Sequence, residues 1–259
     1  MIPKVIHYCW FGNNKKSRLI RKCIKSWKKY CKDYKIIEWN ETNFNIEIND
    51  YVSEAYREKK WAFVSDYARL WIIYNYGGIY LDTDVELKKN IDIFLKHSSY
   101  FGSEDGKYIN TGLGFGAEAG NEIVLTMLND YNNAKFILDN GCYDLTTCPV
   151  RNTKAVFDKY DFKMVDGKNI MYYKNNYIYP PDYFSPLNFN TKKMEMTNNT
   201  YSIHWFDASW FTKEQKINKK KKLRKIRNDK IIHLPNRVLK TILGENKYNQ
   251  LKKFIKKYL

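Results

Sequence analysis

The chain has 259 residues, 44% of them hydrophobic and 17% aromatic, and carries a formal net charge of +17. A chain of this size buries a substantial core without disulfides, which excludes a disulfide-stapled scaffold. No apolar run approaches the roughly 20 residues that span a bilayer, and Met1-Ile2-Pro3-Lys4 leads into a strand pattern rather than a signal peptide, so a cytoplasmic protein is expected.

In chain order, 4–10 reads as a strand, 15–32 as a helix and 35–39 as a second strand, a unit whose crossover predicts parallel neighbours. His7, inside the first strand, reads as a hydrogen-bonded core residue. Residues 40–50 are polar and expected as loop, and 52–75 are helical with a break near Lys60. Phe63, Val64, Leu70, Trp71, Ile73 and Tyr74 recur at helical spacing, which predicts a largely buried helix ending at Gly77-Gly78. Residues 79–87 read as a strand, 100–103 and 113–115 as short strands, and 122–131 as a helix. From 141 to 200 the signals are loop-like, with Pro180, Pro181 and Pro186 as breakers. The alternation predicts an α/β fold. Cys9, Cys23, Cys31, Cys142 and Cys148 form no Cys-x-x-Cys pair and are expected as buried free thiols.

Charge divides the chain. From Thr212 onward 17 Lys/Arg stand against Glu214, Asp229 and Glu245, and residues 13–35 hold ten Lys/Arg against Asp33, so residues 36–211 are net acidic. The expected organisation is a catalytic domain over 1–211 and a basic, amphipathic helical extension over 212–259. Lys219 to Lys225 reads as a solvated helix or arm. In the last stretch Tyr248, Leu251, Phe254, Ile255, Tyr258 and Leu259 alternate with Lys252, Lys253, Lys256 and Lys257, a cationic amphipathic helix. Its apolar stripe either docks on the protein or rests reversibly on an anionic membrane surface, where each basic residue contributes on the order of 1 kcal/mol.

The chemistry concentrates at Asp82-Thr83-Asp84. A strand alternates its side chains with period two, so Asp82 and Asp84 are expected on one side, addressing one cation. Mg²⁺ or Mn²⁺ takes such hard oxygen ligands and keeps places for phosphate oxygens. An Asp-x-Asp alone arises by chance about once in a chain this long, so its context matters. Asp66 and Arg69 interrupt an apolar helix surface three residues apart; they form a local ion pair or grip a polar ligand together. Trp10, ending the first strand, offers a face to a nucleobase or packs in the core. Gly112, Gly114 and Gly116 admit a close backbone approach or relieve a crowded bend.

Four blocks stand in order: Ile2 to Gly12, Ser65 to Glu86, Asn110 to Glu118, and His204-Trp205-Phe206-Asp207-Ala208-Ser209-Trp210. Together they resemble glycosyltransferase family 32, whose members include yeast initiating mannosyltransferases and bacterial capsule enzymes, and are more distantly similar to the clostridial glucosylating toxins. The resemblance implies a GT-A-type nucleotide-diphospho-sugar transferase fold, a Rossmann-like mixed sheet flanked by helices. It implies a retaining hexosyltransferase with Mn²⁺ or Mg²⁺ and a nucleotide-sugar donor, UDP-hexose favoured over GDP-mannose. The acceptor would be a glycan or a lipid-linked oligosaccharide in bacterial surface polysaccharide synthesis, at the cytoplasmic membrane face.

Residue by residue, the resemblance gives the metal to Asp84, with Asp82 and His204, and leaves Asp207 as the rival of His204. The donor falls to Trp10, Asp66, Arg69, Tyr80, Asp82, Asn110, Ser209 and Trp210, and catalysis to Asp66, Arg69, Asp82 and Asp84. Two other readings compete. An Asp-x-Asp phosphatase fits the strand and acidic pair, although Glu86 stands where that pattern wants Thr or Val. A nucleic-acid-binding protein accounts for the basic ends but leaves the acidic middle unexplained, so no nucleic acid is expected.

Overall fold

The computed structural model describes residues 1–165, 169–189, 191–207 and 244–250. Two compact units divide the chain, Met1–Trp210 and Phe211–Leu259. In the second, residues 244–250 are helical. The expected arm at 219–225 and residues 251–259 of the terminal helix lie outside the described residues, as do Ser209 and Trp210.

In the first unit β1 (Val5–Cys9), α1 (Arg18–Tyr30) and β2 (Lys35–Trp39) follow the expected order, with β1 and β2 parallel. α2 (Asp50–Arg57) and α3 (Trp61–Tyr76) are separated near Lys60, as the sequence implied. Each of the first two helices begins on a side-chain cap: Ser17 accepts from Ile20 N–H and Asn49 from Val52 N–H. α3 ends at Gly77, whose φ of +64° suits glycine. Then come β3 (Gly78–Tyr80), β4 (Val85–Leu87), β5 (Ser99–Gly102), β6 (Phe115–Ala117) and α4 (Glu122–Asn129). α5 (Cys148–Phe157), β7 (Lys163–Met164), β8 (Met171–Tyr173), β9 (Asn176–Tyr179), α6 (Pro181–Phe184) and β10 (Ser202–His204) complete the unit.

Eight strands form one mixed sheet in the order β2-β1-β3-β6-β5-β9-β8-β7, and β10 pairs with β4 in a second, two-stranded sheet. Apolar clusters cover both faces. One joins Val52, Leu70, Ile73 and Val124 to Tyr80 and Phe115; the other joins Trp27 of α1 to Ile6, Ile79 and Phe94. Ile79 and Tyr80 thus enter opposite clusters, as the strand period requires. The mixed sheet with helices is the α/β architecture expected.

Four expectations change. Residues 79–87 are not one strand: the ladder ends when Leu81 N–H donates to His7 O, a turn over Asp82 to Asp84 closes with Val85 N–H donating to Asp82 O, and β4 leaves for the other sheet. Asp favours such turns over ladder positions. Of the strand expected over 113–115, Leu113 instead closes a 3-10 turn over Thr111–Leu113, where the Asn110 side chain accepts from Gly112 N–H, and β6 begins at Phe115. The 141–200 stretch holds a ten-residue helix and three short strands. Four of the cysteines are buried, whereas Cys142 is exposed.

His7 bears out its structural reading. Trp39 Nε1 donates to its Nδ1 at 3.0 Å, so Nε2 carries the proton and donates to Gly77 O at 3.1 Å. Burial lowers the ring to about 4, below its ordinary 6.5. A folded-state value below the unfolded one means stabilisation that is complete above pH 6.5 and is lost as pH falls toward 4, up to about 3 kcal/mol. Denaturant titrations at pH 7 and pH 4.5 should show this loss in the parent and a smaller one in His7→Gln, whose amide cannot charge.

Candidate metal and ligand site

Parallel pairing of β1 with β3 sets the carboxyl ends of both strands at one edge of the sheet. β6 runs antiparallel between β3 and β5, so the end of β5 and the start of β6 reach the same edge. Open α/β sheets bind ligands at such an edge. Trp10 follows β1, Asp82 and Asp84 follow β3, Glu104 follows β5, and Asn110 precedes β6. His204 arrives from outside the main sheet, as the last residue of β10 paired opposite Val85.

Asp82, Asp84 and His204 each offer a ligand atom, all within 4.8 Å of one another. His204 Nε2 lies 3.0 Å from Asp84 Oδ1 and 4.0 Å from Asp82 Oδ2. The side chain of Asp207 is exposed, and its backbone N–H donates to Asp84 Oδ2 at 2.8 Å. Burial works against the Asp84 carboxylate, but His204 and the Asp207 N–H outweigh it and hold the group below the usual value. Burial likewise opposes an imidazolium at His204, yet Asp84, Asp82 and Glu104 raise the ring above its ordinary range. His204 Nδ1 is buried with no hydrogen-bond partner among the described residues.

Two carboxylates and an imidazole fit a divalent ion. Around an octahedral ion with bonds near 2.1 Å, neighbouring donors stand about 3.0 Å apart and opposite donors about 4.2 Å, close to the separations His204 makes with the two aspartates.

Beside this group lies a second constellation. Arg69 Nη2 sits 3.0 Å from Asp66 Oδ1 and 3.2 Å from Asp82 Oδ1. The local ion pair therefore exists, and its arginine also reaches the acidic turn. Arg69 is 3% exposed, its Nε lacks a partner among the described residues, and its guanidinium lies 5.1 Å above the Tyr80 ring. Tyr80, itself buried, thus supports Arg69 from beneath. Burial lifts the Asp66 carboxyl to about 6 despite Arg69, so this group sits close to protonation near neutral pH. Trp10 is half-buried, its Nε1 donating to Asn14 O and Lys16 Nζ lying 5.3 Å from its ring centre.

Two residues at this edge carried no signal in the sequence. The Glu104 carboxylate accepts from Asn110 Nδ2 at 2.7 Å while Asn110 Oδ1 accepts from Gly112 N–H, which fixes the amide in one orientation. Cys148, the first residue of α5, accepts from Arg69 Nη1 at 3.5 Å and lies 3.8 Å from Thr111 Oγ1. Neither an isolated Glu nor a Cys-Pro pair forms a motif, and only the topology brings them here. Of the three glycines, Gly112 has the clearest purpose: a Cβ there would stand 2.5 Å from Asp82 Oδ2 and 3.0 Å from Asn110 Oδ1. Gly112→Ala should fold and lose about 10²-fold in turnover, the usual cost of displacing a site group by an ångström. Unchanged turnover would detach Gly112 from the site.

Residues 17–101 match the family described as glycosyltransferase sugar-binding region containing DXD motif. That match carries Asp66, Arg69, Asp82 and Asp84 and stops short of Asn110 and His204. Inositol phosphoceramide mannosyltransferase 3 of Schizosaccharomyces pombe is 29% identical over 110 residues, 38% of this chain and 29% of that protein. Inositol phosphoceramide mannosyltransferase 1 of the same organism is 29% identical over 109 residues, 38% of this chain and 33% of that protein. The match therefore spans about a third of the length of these relatives. Among solved structures, a glycosyltransferase involved in the glycosylation of the major capsid of PBCV-1 is 18% identical, with a TM-score of 0.46 over 85% of this chain and all of that one.

Proposed function

We propose that this chain is a metal-dependent, retaining GT-A-type glycosyltransferase that moves a hexose from a nucleotide diphosphate sugar to a glycan or lipid-linked acceptor. The observation that carries it is the convergence of Asp82, Asp84 and His204 beside an Arg69 paired with both Asp66 and Asp82. The family match over 17–101 supports the same reading. UDP-hexose is the favoured donor. GDP-mannose is the alternative, and two relatives named as mannosyltransferases of inositol phosphoceramide support both it and a lipid acceptor. Bacterial surface polysaccharide synthesis at the cytoplasmic membrane face is the proposed setting. No helix among the described residues is long and apolar enough to cross a membrane.

Asp84, Asp82 and His204 would hold the ion, which when bound supplies positive charge where the departing diphosphate gathers negative charge. The Asp207 N–H keeps Asp84 aimed, and Arg69 keeps Asp82 aimed. Asp66 and Arg69 present hydrogen-bonding atoms to sugar hydroxyls from a water-poor wall, and Asp66 and Asp82 favour positive character at the anomeric carbon. Asn110, held by Glu104, would border the sugar and acceptor. Trp10 gives a face to the base. Ser209 and Trp210 complete the diphosphate side in this proposal. The acceptor proton passes to the leaving phosphate, and no separate base is assigned.

A panel of UDP- and GDP-sugars incubated with the protein in Mn²⁺, Mg²⁺ or chelator tests this. One donor should turn over, losing activity on chelation and recovering it with Mn²⁺. Hydrolysis of phosphomonoesters with no turnover of any sugar nucleotide would favour the phosphatase reading instead.

A further inference from the structure

α1 carries a charge pattern that the proposed chemistry does not use. Its exposed residues are Arg18, Arg21, Lys22, Lys25, Lys28 and Lys29, every one of them basic. They repeat at steps of three and four and so form one stripe along the outer face, opposite buried Ile20, Cys23 and Trp27. Only Lys22 of the six has a carboxylate partner among the described residues, Glu86 at 2.8 Å.

This stripe is unfavourable for the helix that bears it. Arg18 and Lys22, Arg21 and Lys25, and Lys25 and Lys29 are like charges four residues apart, which destabilises a helix. No acid stands in the first turn, where Arg18 and Arg21 meet the positive end of the helix dipole. Apolar packing on the inner side holds α1 in place, together with Trp27 Nε1 donating to Val85 O and Leu87 N–H donating to Ser26 Oγ. An external polyanion would relieve the repulsion on the outer side.

The position of the stripe is informative as well. α1 lies on β4, the strand that leaves the acidic turn, and Lys22 Nζ stands 5.2 Å from the ring centre of Trp205, the neighbour of His204. A surface laid along α1 therefore borders the rim of the site.

We propose that the outer face of α1 is an electrostatic docking surface for the anionic headgroups of a lipid bilayer. This rests on the lipid-linked acceptor of the preceding reading, since docking here would bring such an acceptor to the rim. Two features favour a bilayer over nucleic acid: the face is mostly lysine, point charges suited to a mobile headgroup layer, and its six exposed residues include no aromatic, while Tyr30 and Trp205 beside it are only partly exposed and lie against Lys29 and Lys22. None of its exposed residues is apolar, and Leu19 and Ile24 are packed partly against the core, so adsorption is reversible and salt-sensitive.

Sedimentation of the full chain with phosphatidylcholine vesicles, with and without phosphatidylglycerol, at low and high salt tests the proposal. Lys25→Ala/Lys28→Ala/Lys29→Ala should lower partitioning onto phosphatidylglycerol vesicles at low salt by at least about tenfold, given three contacts each favourable near an anionic surface. A control replacing Lys96, Lys107 and Lys163, exposed outside α1, by alanine has the same net charge and should lose far less. The melting temperature of the α1 variant should hold or rise, because repulsion is relieved and alanine favours helix. Equal losses in the two variants, or none in the α1 variant, would overturn the docking face, as would a loss confined to oligonucleotide binding. Turnover of the nucleotide sugar in solution is read separately and should be unchanged. A parent chain that binds vesicles but turns over no donor would sink the transferase reading by itself.

Discussion

Asp84→Asn should leave a folded protein with at least about 10³-fold less nucleotide-sugar turnover, the equivalent of about 4 kcal/mol of lost charge stabilisation. The amide retains the shape of the carboxylate, and its oxygen still accepts from the Asp207 N–H, so the turn after β3 should survive. What it loses is the charge facing His204 Nε2 at 3.0 Å. Mn²⁺ binding should weaken in parallel, read by the quenching of tryptophan fluorescence or by paramagnetic broadening. His204→Ala should weaken it too, whereas Asp207→Ala, which keeps the backbone N–H, should not. Turnover of Asp84→Asn within a few fold of the parent would remove this carboxylate from the mechanism.

The first four elements and the break between α2 and α3 were legible because each carries a local signal: apolar periodicity, side-chain caps and the glycine pair. The acidic pair was legible as a site for a partly mistaken reason. Alternation along a strand was expected to align Asp82 and Asp84, but the chain turns between them, and the turn together with β10 does the gathering. The block around His204 marked its importance, while its distance from Asp84 depends on β10 pairing with β4 across more than a hundred residues, which no local pattern encodes. α5 was missed for a related reason. It opens on Cys148-Pro149 with only three buried residues, so its periodicity is faint, yet its first residue meets the Arg69 guanidinium. Glu104 lies in a loop and gains meaning from Asn110 and from the shared sheet edge.

Arg69→Ala should cost about 3–5 kcal/mol of stability, the typical penalty for stranding buried charge. For a unit of this size that is a melting point lower by roughly 10 °C. The reason is geometric. Arg69 stands between Asp66 and Asp82, and without it the buried Asp66 carboxylate is left facing a partly exposed Asp82 with no cation between them. Arg69→Lys should recover only part of the loss, because one ammonium on a flexible stem does not bridge both acids as the guanidinium fork does. Adding Asp66→Asn to Arg69→Ala should restore stability relative to the single variant, since one stranded charge is gone, and a double-mutant cycle would read that coupling. The loss should also grow with pH. Burial already lifts Asp66 to about 6, above its unfolded value of 3.8, and removing Arg69 takes away the main influence pulling it down. A carboxyl raised in the folded state binds its proton more tightly there, so stability is kept at low pH and drains away as pH rises through the folded value. An Arg69→Ala protein that melts like the parent at pH 8 would mean that water reaches these carboxylates. The wall proposed to grip the sugar would then be an ordinary solvated surface.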